Sequence, residues 1–180
     1  MSKHHRNRNW APAPQPLPED AHVIDNHTHV ASVVPFSQAM SHEAMEKGQG
    51  EVPVYSVDEL LEQAQKVGVE GVIDCGCELP NLMTAIDMAR EHPGTVHAAI
   101  AIHPNEAVLH GHRGAPGPDG LPIKYKPWHD IPFDEAMAEV HRLATTYPIQ
   151  VVAIGEPGMD LFRTGESAKE LQREAFRAHV

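Results

Sequence analysis

Val23-Ile24-Asp25-Asn26-His27-Thr28-His29 is a short apolar run that ends in two histidines one residue apart. Read as a strand, it places residues two apart on the same side, so both imidazoles face one way and can hold one metal ion between them. Imidazole stays largely neutral near pH 7 and is the commonest side-chain ligand for metals. His110-Gly111-His112 repeats the spacing with no strand before it, and it is the weaker pair.

Working outward, the same grammar recurs four times: an apolar β-branched run, a polar turn, then a stretch with helical spacing. The helix of the first cycle starts at Ser56, where Ser56 and Glu59 form a capping box, and continues through Val57, Leu60, Leu61, Ala64 and Val67 to Gly68. The second strand is Val69 to Cys75, followed by a helix that opens with Pro80, buries Leu82, Ala85, Ile86 and Ala89, and stops at His92-Pro93. The third strand runs from Val96 to Ile102, and its helix presents Phe133, Ala136, Met137, Val140, Leu143 and Ala144 on one face. Val151 to Ile154 is the fourth strand, and a last helix starts near Ser167 with Glu170 completing another capping box. Such alternation predicts parallel strands joined by right-handed crossovers.

Two connections are long, Val30 to Tyr55 and Asn105 to Pro132, and both leave strand C-terminal ends, where α/β folds carry function. The second holds a Gly- and Pro-rich stretch from His110 to Trp128 that reads either as a flap over the site or as a surface insertion. Residues 1–20 carry Arg6, Arg8 and four prolines from Pro12 to Pro18, and are expected to form a disordered Pro-rich tail before a folded unit over 21–180.

Composition narrows the function. A net charge of −11 repels a polyanion unless bound cations reverse the local field. Only two cysteines occur, Cys75 and Cys77, too close along a strand for an easy disulfide, which fits a reduced cytoplasmic protein. The same pair can offer soft ligands to zinc or be two small buried residues. No apolar stretch approaches the length of a membrane span, and nothing singles out a protein partner.

Three of the four strands end in residues able to do chemistry: Asp25, His27 and His29 after the first, His103-Pro104 after the third, Gly155-Glu156-Pro157-Gly158-Met159-Asp160 after the fourth. Parallel strands bring these to one rim. Glu156, flanked by glycines, has room to reach inward and two oxygens with which to bridge cations; alternatively it caps a helix or forms a surface ion pair.

Together these segments resemble the TatD family of metal-dependent hydrolases, DNase-like members of the amidohydrolase group. The likeness runs from about Val23 to Val180. It rests on Asp25-Asn26-His27-Thr28-His29-Val30, on Ala101-Ile102-His103-Pro104, and on Ile154-Gly155-Glu156-Pro157-Gly158-Met159-Asp160, with Gln172 and Phe176 at matching places in the following helix. Ala101 stands where a glycine is usual and Met159 where leucine is common.

The resemblance implies a (β/α)8 TIM-barrel-like hydrolase of which only the first four βα units are present. Such barrels need about 250 residues, so the remaining strands and ligands are expected beyond Val180. It further implies that His27 and His29 bind one metal, Glu156 bridges two divalent ions (Mg, Mn or Zn) as the catalytic carboxylate, and His103 lines a phosphate pocket. The implied activity is a two-metal deoxyribonuclease acting on DNA ends or another phosphodiester. Cleavage of a cyclic amide or lactone is the alternative within enzymes, and a catalytically silent half-barrel the alternative outside them.

Overall fold

The computed structural model describes residues 15–48, 53–112, 124–162 and 164–180. Four strands, β1 (Val23–Thr28), β2 (Val69–Gly76), β3 (Val96–Ile100) and β4 (Val151–Ile154), form one sheet in the order β1-β2-β3-β4, and every pairing is parallel. Between and after them come α1 (Val30–Glu46), α2 (Val57–Lys66), α3 (Leu79–Glu91), α4 (Pro104–Ala107), α5 (Phe133–Thr146) and α6 (Lys169–His179). The strand order follows the chain with no reversal. That is the order of a barrel wall, in contrast to a doubly wound sheet, whose order turns back at a switch point.

The core lies between the sheet and its helices. Val72, Val96, Ala98, Ile100 and Ile102 from the sheet pack with Leu82, Ala85 and Ile86 of α3 and with Ala136, Val140 and Leu143 of α5. All four residues expected on the buried face of α3 are buried, because their spacing keeps them on one stripe. Ser56 accepts from the Glu59 backbone while Glu59 accepts from the Ser56 backbone, so the capping box starts α2 as expected. The edge strands are different. Ile24 is 58% exposed on β1 and Val152 is 51% exposed on β4, since no strand among the described residues lies beyond either.

Three features depart from the sequence reading. The long connection after β1 contains a 17-residue helix, α1, despite Pro35 inside it. A proline there removes only the bond to Ala31 four residues earlier, and the buried Asp74 carboxyl on β2 holds the start of α1 by accepting from the Val30 and Ala31 backbone. The capping box expected from Ser167 and Glu170 does not form. A 3-10 turn over Glu166–Ala168 leads into α6, whose N-cap is Ala168 with no side-chain bond. Of the Pro-rich stretch, residues 1–14 lie outside the described residues, and its last part touches the fold: Leu17 N–H donates to the Val67 carbonyl at 3.0 Å.

The stretch expected as a flap is pinned at both ends. The His110 ring and the Gly111 N–H both donate to the Ile131 carbonyl, at 2.9 and 3.1 Å, while 113–123 lie outside the described residues. Among the described residues no helix is long and apolar enough to cross a membrane.

Candidate metal centre

The C-terminal strand ends set the site. Past β3 the ladder continues, with Ala101 N–H donating to Gly76 at 3.0 Å and His103 N–H to Cys77 at 2.9 Å, so β2 and β3 deliver Cys77 and His103 to one rim. Gly155 N–H donates to the Ile100 carbonyl at 3.3 Å, which places Glu156 on the same rim. Asp25 accepts from the His27 N–H at 3.2 Å and turns the end of β1 toward it.

His27, His29 and Glu156 converge there, and their ligand atoms all lie within 4.8 Å of one another. The His27 Nε2 atom contacts Glu156 Oε1 directly, and His29 Nε2 lies 3.8 Å from that same oxygen. The two rings meet edge to face with centroids 5.4 Å apart, so both nitrogens aim at one point without the rings stacking. His29 Nδ1 lies 3.2 Å from the Cys75 carbonyl. A carbonyl only accepts, so Nδ1 carries the proton and the Nε2 lone pair faces Glu156; this is the outer bond that orients metal-binding histidines. A lone pair and a carboxylate oxygen 3.8 Å apart repel, and a cation between them removes the repulsion. The donor set therefore fits a divalent ion that accepts mixed imidazole and carboxylate ligands.

The other carboxylate oxygen has a different neighbour. Cys77 Sγ lies 2.9 Å from Glu156 Oε2. Burial first, and then the Glu156 carboxylate, push the Cys77 thiol well above the ordinary range; the same causes lift Cys75 to about 11. Asp74, at 1% exposure, is raised by burial against the opposing backbone bonds of α1 and the nearby His29. Among the described residues its Oδ1 atom has no hydrogen-bond partner. Beside these groups opens a cavity of about 320 Å³ lined by His29, Asp74, Cys75, Cys77, Glu78 and Asn81, among others.

His103 stands at the start of α4, where its Nδ1 accepts from the Asn105 N–H at 3.2 Å. It is not in the three-residue cluster, although Cys77 ties its backbone to the same rim. Asp160 accepts from the Asn105 side chain at 2.7 Å, while its backbone is held by Gln172: the Asp160 N–H donates to Oε1 at 2.9 Å, and Nε2 donates to the Asp160 carbonyl at 3.0 Å. Fully buried Gln172 thus fixes the loop that follows Glu156.

Sequence reasoning did not find the contact between Cys77 and Glu156, or the small network in which Glu106 accepts from Trp128 at 3.1 Å and from buried His129 at 2.7 Å. His129 Nδ1 accepts from the Lys126 N–H, so its Nε2 is the donor. His110 is buried in a short turn and does not join the metal cluster.

The family model described as "TatD related DNase" matches residues 24–180. Over 123 residues the chain is 28% identical to the 3'-5' ssDNA/RNA exonuclease TatD of Erwinia tasmaniensis, an alignment covering 68% of this chain and 38% of that protein. Over 124 residues it is 27% identical to the Bacillus subtilis protein named uncharacterized metal-dependent hydrolase YabD, covering 69% of this chain and 38% of that one. The crystal structure of a TatD family hydrolase from Entamoeba histolytica superimposes with a TM-score of 0.53 at 20% identity, over 88% of this chain and 44% of that one. The chain therefore spans less than half the length of each.

Proposed function

Because the chain belongs to the family of TatD-related DNases, we propose that it carries the first metal-binding half of a hydrolase that cleaves phosphodiester bonds at nucleic-acid ends. The observation that carries this reading is the convergence of His27, His29 and Glu156 ligand atoms within 4.8 Å on one rim. In this reading residues 21–180 are the first four βα units of a (β/α)8 barrel. His27, His29 and Glu156 would hold the divalent metal, one ion or two, and Mg, Mn and Zn are the ions such ligands take. A divalent ion bound there polarises a phosphoryl oxygen and makes water a nucleophile near neutral pH. The ions also overcome the net charge of −11 as the largest local charges facing a polyanion.

The chain's own groups divide the remaining work. His103, whose Nδ1 accepts from the Asn105 N–H, would line the phosphate pocket at the start of α4. Gln172 and Asp160 hold the loop after Glu156, which keeps that carboxylate in place. The exonuclease named among the relatives supports an end-directed substrate. Free Cys75 and Cys77 fit a reducing, cytoplasmic setting.

The test is cleavage of an end-labelled DNA oligonucleotide with added Mg, Mn or Zn. Cleavage that chelation stops and Glu156→Gln abolishes is the expected result. Turnover of a cyclic amide with the oligonucleotide left intact would assign the amidohydrolase chemistry instead. The exposed apolar residues Ile24, Val152 and Ile154 on the edge strands favour a second reading, a half-barrel silent by itself. Metal binding without cleavage of either substrate is its signature.

A further inference from the structure

The geometry points to Lys124, Tyr125, Lys126 and Trp128 as a binding strip for an unpaired nucleic-acid strand beside the metal centre, with the lysines on its phosphates and the rings stacked on its bases. The inference rests on the phosphodiester reading of that centre. It goes further by saying where the strand lies and why its bases must be unpaired.

The strip is built onto the rim. α4 starts directly after His103, and Glu106 in its first turn accepts at Oε2 from Trp128 Nε1 at 3.1 Å and from His129 Nε2 at 2.7 Å. His129 is buried, and its Nδ1 accepts from the Lys126 N–H at 3.0 Å, so the 3-10 turn over Pro127–Asp130 is locked to α4 before any ligand arrives. A site fixed in advance loses less freedom on binding. The second link to the rim is Glu78. It lines the cavity beside His29 and Cys77, and burial first, and then Glu106, push its carboxyl above the usual range against the pull of Lys126 and His129. Lys126 therefore stands within electrostatic reach of that cavity's wall.

The chemistry of the strip is that of a single-strand site. Lys124, Tyr125 and Lys126 are exposed and Trp128 is half-buried. Among the described residues neither lysine has a carboxylate within ion-pair distance, whereas most other lysines and arginines hold one three or four positions away along the chain. In a chain of net charge −11, two such cations interleaved with aromatic rings supply what a single strand binds: charge for its phosphates and flat faces for its bases. The indole N–H is taken by Glu106, so Trp128 offers a ligand only its ring. Lys126 Nζ lies 5.9 Å from the centre of that ring, and the Tyr125 ring is backed by His112 with centroids 4.3 Å apart. The nearby acids are engaged: Glu106 accepts two hydrogen bonds and Asp130 pairs with His112. Bases inside a duplex have both faces covered by their neighbours, so stacking on these rings selects an unpaired strand.

Fluorescence anisotropy of a labelled single-stranded phosphorothioate oligonucleotide, which resists hydrolysis, with the manganese-loaded full chain tests this. The logarithm of affinity should fall linearly with that of salt concentration. Lys124→Gln combined with Lys126→Gln should flatten that slope by about 1.4, at about 0.7 for each phosphate contact of a single strand. Lys66→Gln, at the N-terminal end of the sheet, should leave it unchanged. Tyr125→Ala should weaken binding at least about fivefold and Tyr125→Phe restore it, while a blunt duplex of the same sequence binds less tightly and is indifferent to Tyr125→Ala. An unchanged slope in the double variant, or unchanged affinity in Tyr125→Ala, in a chain that still binds the oligonucleotide would overturn the strip and leave the phosphodiester reading standing. Polyglutamate competing as well as the oligonucleotide would reduce the strip to a general anion site and overturn the stacking assignment. No binding of either nucleic acid by the unmodified chain would overturn the strip and the phosphodiester reading together.

Discussion

His29 Nδ1 donates to the carbonyl of Cys75 at 3.2 Å, so the ring that faces Glu156 also straps the end of β1 to β2. Among the described residues His27 has no comparable strap, and its side chain is 58% exposed. Replacing either histidine by alanine should weaken binding of a divalent cation by at least about tenfold. Only His29→Ala should also lower stability, by about 0.5–1.5 kcal/mol, the net worth of one hydrogen bond. Calorimetric metal titration and urea unfolding of both variants separate the two effects.

Gly76→Ala should destabilise the fold by about 1–3 kcal/mol, the usual cost of overpacking. The added β-carbon would meet backbone atoms of α3, the Asn81 oxygen at 2.7 Å and the Leu82 Cα at 3.0 Å, which cannot swing aside as a flexible side chain would. At Gly48 a β-carbon meets nothing within 4 Å, and the cost of a substitution there would come from its positive φ of 63° instead. Chemical denaturation of Gly76→Ala against the unmodified chain reads the difference.

Gln172→Ala removes the acceptor of the Asp160 N–H and the amide donor to the Asp160 carbonyl, while the Thr164 hydroxyl keeps its own bond to that carbonyl at 2.8 Å. A cost of about 1 kcal/mol or somewhat more follows from the lost bonds. The loop carrying Glu156 should loosen with it, so metal affinity falls as well; an unchanged affinity would separate the Gln172 network from the site.

The two histidines with lowered pKa values make stability depend on pH. Burial holds His110 below the usual range against the favourable bond to Ile131, and burial does the same to His179, whose Nδ1 donates to the Ala175 carbonyl. A group whose folded pKa is lower than its unfolded pKa binds more protons when unfolded, so stability rises with pH between the two values. The contribution is complete above the unfolded pKa of about 6.5 and is lost as pH falls below it. Raised Asp74 acts with the opposite sign, at lower pH. Urea midpoints of the unmodified chain and His110→Gln between pH 7.5 and pH 5, conditions of about the histidine range, should therefore converge on acidification.

The buried face of α3 was legible because Leu82, Ala85, Ile86 and Ala89 repeat at helical spacing and the helix is held by the packing that this spacing predicts. That His27 and His29 meet the fourth strand end was legible for a similar reason: parallel strands carry their C-terminal ends to one rim whatever lies between them. By contrast, α1 was hidden. Val33, Val34 and Pro35 speak against a helix locally, and the carboxyl that holds its start, Asp74, comes from another strand. Cys77 and Glu156 are 79 residues apart, and no local pattern announces a contact of that range. The Cys75-Gly76-Cys77 spacing was visible, but Gly76 answers to the backbone of α3, a neighbour that only the folded chain supplies.

The most direct measurement is anomalous diffraction from crystals soaked in manganese or zinc. The account predicts a peak within bonding distance of His27 Nε2, His29 Nε2 and Glu156 Oε1, where the three side chains already converge. A fully loaded crystal with its metal elsewhere, and with these three side chains ligating nothing, would contradict it.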